Sequence, residues 1–298
     1  MKHTLTLVAA LLLATLAALH VVDALVQKPT TALAIGTLEI PPVKEKPCFQ
    51  GSYYRKCVSS PDEWIGIEGR VVLPEFKFDE ARPREDKPGQ FLDNFSVYMG
   101  GRAGMQEIDA GLTGDIVKLP DGTESKDRRA FRPFWRNKKW FTAPLDPDLF
   151  FWPGDTVKMA ITTPGKDKLN LKIELVNRGE VGKRERAKYP AAVKGTARPA
   201  GVLSVDFDAP GFGPGNKQEF KRVNAIDQFF QEGKPVDATK AKAIGGKWLE
   251  CWLIRDGGNR RVFDSSRFTD MRCPDARFFK IEAGQQGGEA IDIYGSGQ

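Results

Sequence analysis

The chain has 298 residues and a formal net charge of +6, with 45 Lys and Arg against 39 Asp and Glu. Its only histidines are His3 and His20. Both lie in a segment that we predict to be removed on export, so the mature protein would contain no imidazole. This excludes mechanisms that use histidine as a base or metal ligand, including Ser-His-Asp and Cys-His sites. Any catalysis must then use carboxylates, amides, tyrosine, lysine or a metal held by oxygen ligands.

Residues 1–24 have the features of a secretory signal peptide. A basic start precedes an apolar run from Leu5 to Leu19, and residues 22–24 (Val-Asp-Ala) nearly fit the small-x-small cleavage rule. The run is shorter than the roughly 20 residues of a spanning helix, although an uncleaved membrane anchor is the alternative. We predict cleavage near Ala24, a secreted, periplasmic or cell-envelope location, and no transmembrane anchor in the mature chain.

The four cysteines fit an oxidising compartment. Cys48 and Cys57 are 9 residues apart, and Cys251 and Cys273 are 22 apart. Four cysteines allow three pairings, and we predict the two local ones, Cys48–Cys57 and Cys251–Cys273. Each bond would stabilise the fold by about 2–4 kcal/mol. Neither pair has the short spacing of a zinc site, so we predict no metal and no cofactor.

Short alternating segments separated by Gly and Pro turns follow from Trp64 onward, which is typical of an antiparallel sandwich or barrel. We predict an all-β, antiparallel two-sheet β-sandwich of concanavalin or jelly-roll type over 61–283. Residues 25–60 form an extended lead-in and 284–298 a Gly-rich tail with an edge strand. The predicted strands are 64–74, 95–101, 156–162, 169–175, 202–207, 247–254, 276–282 and 290–294. One short turn of helix is expected within 223–233.

Two loops are strongly basic. Residues 177–200 carry seven basic and two acidic side chains, which favours a solvated insertion. Residues 126–141 interleave Lys and Arg with aromatic rings, a pattern that can grip polyanions. Such rings more often enter a core while the charges face solvent, so we expect no nucleic-acid partner.

Two strands carry the candidate chemistry. In MQEID (105–109), Ile108 should point inward, so that Glu107 and Asp109 point outward. In KWLECWLI (247–254), strict alternation separates an inward Leu/Cys/Leu face from an outward face with a carboxylate between two indoles. The outward residues of this second strand are Trp248, Glu250 and Trp252.

If both strands share one curved sheet, a concave face displays Tyr98, Glu107, Trp248 and Trp252 as ligand-binding residues, with Asp109 and Glu250 among them. Aromatic rings beside acids suit a glycan, because the rings stack on sugar faces while carboxylates accept hydrogen bonds. Two carboxyls about 5–9 Å apart could also act as an acid/base pair. The alternative is that these residues are ordinary surface acids on a half-exposed sheet, with no role in binding or catalysis.

Four motifs in order resemble the glutamic peptidases (eqolisins), which have a concanavalin-type β-sandwich and act at acid pH. They are WIGIEG (64–69), EIDAG (107–111), FFWPGDTVKMAIT (150–162) and WLECWLI (248–254). The family's catalytic glutamine and glutamate are not preserved residue for residue. Asp109 stands at the glutamine position, and alignment of the late strand places Arg255 or Asp256, rather than Glu250, at the glutamate.

The sequence leaves several functions open. The first is a non-catalytic protein of the cell envelope that binds a glycan or another anionic polymer, in keeping with a mature net charge that stays at +6. The alternative is a carboxyl-group hydrolase, peptidase or glycosidase, that uses Asp109 and Glu250 as its catalytic pair. Calcium binding by the acids of 145–155 is a third, although the spacing is not that of an EF-hand. The sequence fixes no oligomeric state.

Overall fold

The structure is a computed structural model that describes residues 39–86, 90–114, 130–137, 140–142, 146–188 and 200–297. For 140–142 it describes the backbone alone. The predicted signal peptide and residues 25–38 of the predicted lead-in lie outside the described residues. Residues Ile40–Gln298 group into one unit.

The described part of the chain contains sixteen strands. They are β1 (Ser52–Ser59), β2 (Trp64–Val72), β3 (Glu75–Lys77), β4 (Asp93–Ala103), β5 (Gln106–Gly114), β6 (Phe131–Arg136), β7 (Trp140–Thr142), β8 (Thr156–Gly165), β9 (Lys168–Asn177), β10 (Val202–Asp208), β11 (Glu219–Gln228), β12 (Lys242–Arg255), β13 (Arg260–Val262), β14 (Phe268–Cys273), β15 (Phe279–Ala283) and β16 (Glu289–Tyr294). The same described ranges hold one α-helix, α1 (Glu180–Arg186), and three single 3-10 turns, at Pro147–Leu149, Asp256–Gly258 and Ala276–Phe278.

These strands form two antiparallel sheets. The seven-stranded sheet has the order β14-β1-β11-β4-β5-β6-β7, and the nine-stranded sheet is built on β10-β9-β8-β2-β12-β16-β15, with β3 and β13 added beside β12. The predicted all-β, two-sheet sandwich is thereby confirmed. β1 and β16 are part of it, so the strands extend beyond the predicted limits of 61 and 283. β16, predicted as an edge strand, lies between β12 and β15.

Alternation along each strand builds the core between the sheets. Phe95, Val97 and Met99 of β4 are at most 1% exposed and face inward, as do Leu169 and Leu171 of β9. Successive side chains of a strand point to opposite faces. The even-numbered residues of β4 therefore lie on the outer face of the seven-stranded sheet.

An interior charged cluster, formed by Arg55, Arg222 and Glu289, lies between the sheets. Two Arg55 nitrogens donate to the Glu289 carboxylate at 3.1 and 2.7 Å, and Arg222 Nη2 donates to it at 3.3 Å. All three side chains are at most 5% exposed as residues. Phe263 and Phe268 lie 5.8 and 5.7 Å from the Arg222 guanidinium. Arg55 also contacts the half-exposed Asp270 at 2.5 Å, so this cluster is an interior structural network with one link to the surface.

A β-bulge interrupts the alternation of β12. Its register with β2 shifts between Trp248 and Glu250. As a result Trp248 and Cys251 both point inward and are fully buried, while Leu249 is 36% exposed. The predicted inward Leu/Cys/Leu face is therefore wrong at Leu249, because a bulge places two residues of one strand opposite one of its partner.

An N-terminal strap, residues 40–50, crosses the outer face of the seven-stranded sheet near β1 and β14. The backbone N–H of Phe49 donates to the Tyr54 hydroxyl at 2.7 Å, and Thr269 Oγ1 donates to the Val43 carbonyl at 2.6 Å. Lys46 pairs with Glu219 at 2.7 Å. The strap accompanies a second apolar cluster on this face, formed by Tyr54, Val58, Val223, Ala225, Met271 and Cys273.

The disulfide joins Cys48 of the strap to Cys273, with Cα atoms 5.7 Å apart, and both predicted pairings are wrong. Cys57 and Cys251 are free and buried. The reason is the face that each residue occupies. Cys57 points inward from β1 and Cys251 inward from β12, whereas the Cys48–Cys273 bond lies on the outer side of the seven-stranded sheet.

Two segments differ from their predicted local structure. The stretch 223–233, expected to hold a turn of helix, begins inside β11, which runs to Gln228. In the basic insertion 177–200, α1 is held by an ion pair between Arg186 and Asp148, while residues 189–199 lie outside the described part. Among the described residues, none of the helices has the length and apolar character needed to cross a membrane.

Candidate functional site

The outer face of the seven-stranded sheet is hollow. Lys56 lies on β1, and Glu107 lies on β5, three strands away in the sheet. Along β5, Glu107 is four residues from the residue that is level with Lys56. On a flat sheet their Cα atoms would be roughly 19 Å apart. Their Nζ and Oε1 atoms are nevertheless 3.6 Å apart, which the two side chains can reach only if the sheet bends toward this face. We call the hollow lined by Tyr98, Asp109, Lys221 and Asp227 the outer groove.

A buried lysine organises one end of the outer groove. Lys221 is 3% exposed, and its Nζ lies 2.7 Å from Asp109 Oδ1 and in direct contact with Glu107 Oε1. Gly100, which separates Lys221 from Asp109 in the register, makes this approach possible, because a Cβ there would lie 2.8 Å from the lysine side chain. Asp109 thus faces a fixed cation at the edge of solvent.

The charges of this end shift each other's pKa values. Burial lowers the pKa of Lys221, but Asp109 and Glu107 more than offset it, and the net pKa is raised. Burial acts to raise the pKa of Glu107, but Lys221 and Lys56 outweigh this effect and lower the pKa to about 2. Burial and the neighbouring Lys221 lower the pKa of Lys56 to about 8.

Asp227 occupies the other end of the outer groove and faces hydroxyls in place of a cation. Ser52 Oγ donates to its Oδ1 at 2.9 Å, and the Ser96 hydroxyl contacts its Oδ2. In the described part of the chain Asp227 makes no ion pair. Burial raises the pKa of Asp227, the charge of Asp109 raises it further, and the two serines and Arg136 offset only part of this. Asp227 therefore tends to keep a proton that it can donate.

Tyr98 lies between the two ends. It stands on β4 two residues after Ser96, the partner of Asp227, and two residues before Gly100, which is level with Asp109. Its ring meets the buried Phe134 edge-on, with centroids 5.7 Å apart. Burial raises the pKa of Tyr98 well above its ordinary value, and Asp109 and Asp227 raise it further.

The structure brings together only part of the predicted surface. Tyr98, Glu107 and Asp109 share the outer groove, as the alternation of β4 and β5 indicated. Glu250 and Trp252 belong to β12 of the nine-stranded sheet and pair with outward residues of β2, Glu250 through a 2.6 Å contact with Arg70. The predicted common face of Asp109 and Glu250 is therefore wrong, because their strands lie in different sheets.

Trp248 is also absent from the outer groove. It is fully buried between the sheets, and its indole N–H donates to Asn224 Oδ1 at 2.7 Å. The bulge that follows it turns the ring inward. Neither predicted tryptophan platform lies beside Asp109, and the aromatic groups found there are Tyr98 and Phe134.

The sequence analysis missed Asp227 and Lys221. Both lie in EFKRVNAIDQ (219–228), whose strict alternation puts Lys221, Val223, Ala225 and Asp227 on one face. That alternation could have identified the strand. The following FFQEG segment favoured a turn of helix and concealed it.

Two of the three acids proposed for calcium pair with arginines, and the third, Asp146, accepts a hydrogen bond from the backbone N–H of Asp148 at 2.9 Å. Asp148 pairs with Arg186, and Asp155 pairs with Arg178 at 2.8 Å. Across the described ranges there is no group of three or more His, Cys, Asp or Glu that could hold a metal ion.

Comparison with solved structures relates the fold to the glutamic peptidases. Scytalido-glutamic peptidase with a transition state analog inhibitor matches with a TM-score of 0.51, and the same peptidase with a peptide-based analog with 0.48. SCP-B, a member of the eqolisin family in complex with the tripeptide Ala-Ile-His, matches with 0.47. Each match has 9% identity and covers 82% of this chain and 98% of the other.

The match with a TM-score of 0.51 confirms the resemblance at the level of the fold, a β-sandwich similar to that of scytalido-glutamic peptidase. No protein-family model matches the sequence, and no curated protein sequence matches it.

Proposed function

We propose that the protein is an exported carboxyl-group hydrolase, most simply a peptidase, that acts through Asp109 and Asp227. The observation that carries this proposal is the pair itself. Two carboxyl groups lie on one hollow face, and the charge of Asp109 raises the pKa of Asp227. Two carboxyl groups in different surroundings, one of them with a raised pKa, are characteristic of acid/base catalysis.

The two environments assign the two roles. Asp227, poorly solvated and bonded to two hydroxyls, is the general acid. Asp109, which faces the ammonium of Lys221 at 2.7 Å, is the general base. Asp109 takes a proton from water as the water oxygen bonds to the carbonyl carbon. Asp227 then gives its proton to the leaving nitrogen as the carbon–nitrogen bond breaks, and the proton on Asp109 restores Asp227 through solvent.

Export is part of the same proposal. The Cys48–Cys273 bond is expected in an oxidising compartment, and residues 1–24 have the composition of a signal peptide. The fold shared with scytalido-glutamic peptidase adds support for hydrolysis of peptides, since that structure holds a transition state analog inhibitor.

The test is cleavage of a peptide library and of an unfolded protein between pH 2 and 7, with products identified by mass spectrometry. Cleavage should be fastest at acid pH and decline as the pH rises through the raised pKa of Asp227, because the deprotonated acid cannot donate. Asp227→Asn and Asp109→Asn should each lower kcat by about 10²–10⁴-fold.

Glu250→Gln is the matched control, because it removes a carboxylate from the other sheet. It should leave kcat unchanged. Unaltered turnover in both aspartate variants, or no cleavage by the wild type at any pH, would refute the hydrolase.

Binding of a glycan without turnover at the same groove is the second candidate. The observation in its favour is that Lys221 already neutralises Asp109 and Glu107, which commits the Asp109 carboxylate to an ion pair. A glycan array with the wild type and with Tyr98→Ala distinguishes this candidate. A signal that the variant loses, with no cleavage in the library, would favour binding over hydrolysis.

A further inference from the structure

The proposed mechanism gives no role to the hydroxyl group of Tyr98. Within the described part of the chain this hydroxyl makes no hydrogen bond, although its neighbours on the same face are all engaged. Asp227 is bonded to Ser52 and Ser96, and Lys221 is shared by two carboxylates. Tyr98 thus offers an uncommitted O–H donor between the two carboxyl groups.

Two neighbours limit where Tyr98 can lie, one at its ring and one at its Cα and Cβ. Phe134, 2% exposed, meets the ring edge-on. Below it, Gly111 on β5 lies so close that a Cβ there would be 2.6 Å from the Tyr98 Cα and 2.7 Å from its Cβ. A donor held in this way loses little conformational freedom when it binds a ligand, which is the condition for preorganised stabilisation of a developing charge.

The hydroxyl also keeps its proton. Burial raises the pKa of Tyr98, and the negative charges of Asp109 and Asp227 raise it further. At every pH at which Asp227 can act as an acid, Tyr98 is therefore a hydrogen-bond donor and never a proton source. The two carboxyl groups move protons, and this residue can stabilise charge without exchanging one.

We propose that Tyr98 is a third catalytic residue, whose O–H donates a hydrogen bond to the oxyanion that forms when water adds to the substrate carbonyl. This inference rests on the proposed hydrolase function. As the water oxygen bonds to the carbon, the carbonyl π electrons move to the oxygen, and Asp109 takes the released proton. The Tyr98 O–H bond stays intact throughout. When the carbonyl re-forms, Asp227 protonates the departing nitrogen.

The test is Tyr98→Phe, which removes one oxygen atom and keeps the ring against Phe134. With the peptide that the wild type cleaves best, kcat should fall by about 10²–10³-fold, the loss associated with one oxyanion donor, while KM stays unchanged. A phosphinate analogue of that peptide, which mimics the tetrahedral intermediate, should bind the variant more weakly by a similar factor. Tyr294→Phe, on β16 of the other sheet, is the control and should change neither quantity.

The outcomes separate this inference from the function on which it rests. No cleavage by the wild type overturns both. If the aspartate variants lose activity while Tyr98→Phe keeps kcat within about threefold of wild type, or loses activity through KM alone, only the role of Tyr98 is overturned. A marked fall in the Tm of Tyr98→Phe would also overturn it, because it would show that the hydroxyl supports the fold.

Discussion

The interior charged cluster and the outer groove both hold charged side chains away from water, and they treat them in opposite ways. Between the sheets, Glu289 accepts from Arg55 and Arg222, and the aromatic rings around Arg222 exclude solvent. In the outer groove, Lys221 contacts two carboxylates, while Asp227 is bonded to hydroxyls and forms no ion pair in the described structure.

The difference shows which cluster is structural. A buried charge is tolerated when paired and hydrogen-bonded, and the interior cluster meets that condition. Among the described residues Asp227 has no such charged partner, and burial raises its pKa. A poorly solvated carboxyl group without a charged partner lowers the stability of the fold. Such a loss of stability is expected where the group has a functional role.

The sharpest test of the structural cluster is Glu289→Gln. Arg222 would lose the one charged partner it has among the described residues, so the free energy of unfolding should fall by about 3–5 kcal/mol, the typical cost of breaking a buried pair. Urea unfolding measures it. Glu282→Gln, which removes an exposed partner of Lys280, should have almost no effect. Equal changes in the free energy of unfolding of the two variants would show that the interior charged cluster contributes no more to stability than an exposed ion pair.

The strap next to the outer groove is tested by replacing Cys48 and Cys273 together with alanine. Loss of the bond should lower the free energy of unfolding by about 2–4 kcal/mol, measured by urea unfolding. Reductant should lower the wild type to the value of the variant and leave the variant unchanged. A variant that still responds to reductant would point to a second bond between Cys57 and Cys251.

Asp227→Asn should change stability in the opposite direction from Glu289→Gln. The folded pKa of Asp227 is raised above its ordinary 3.8, so its contribution is complete below pH 3.8 and is lost as the pH rises through the raised value. Removing the carboxylate should therefore stabilise the fold by on the order of 1 kcal/mol at pH 7 and by less at pH 3. Thermal unfolding at both pH values measures this. If the variant is less stable than the wild type at pH 7, Asp227 has a structural role like that of the interior charged cluster.

The smallest expected effect is that of Glu107→Gln. The pKa of Glu107 is lowered from 4.5 to about 2, so its pairing with Lys221 stabilises the fold above pH 4.5 and ceases to do so as the pH falls through about 2. The side chain is 53% exposed, which limits the effect to less than about 1 kcal/mol. The variant and wild type should differ slightly at pH 6 and converge near pH 2. A difference that persists at pH 2 would contradict the assignment.

Sequence patterns predicted the architecture and half of the candidate site. Period-two alternation identified the two-sheet sandwich and the outward direction of Tyr98, Glu107 and Asp109, because that direction is a local property of each strand. The placement of Glu250 failed for a different reason. Alternation gives the face of a strand, whereas the sheet that it joins depends on pairing with residues far away in the chain, here β2 and β16.

The remaining errors also come from long-range structure. The bulge after Trp248 depends on how β12 fits against β2, and no residue type at that position signals it. The cysteine pairing was predicted from sequence proximity, whereas the two bonded residues are 225 positions apart. Asp227 was hidden because its strand runs directly into a turn that contains the exposed Phe230.

The bond between the first and last cysteines has a consequence for biosynthesis. If the chain is exported N-terminus first, as proposed, Cys48 and Cys57 enter the oxidising compartment together, long before Cys273 follows. The strands that flank β1, β11 and β14, also arrive late, so nothing shields Cys57 from its neighbour in the meantime. A Cys48–Cys57 bond formed in that interval would have to exchange to the native one, and the yield of native protein would then depend on a disulfide isomerase in the producing cell.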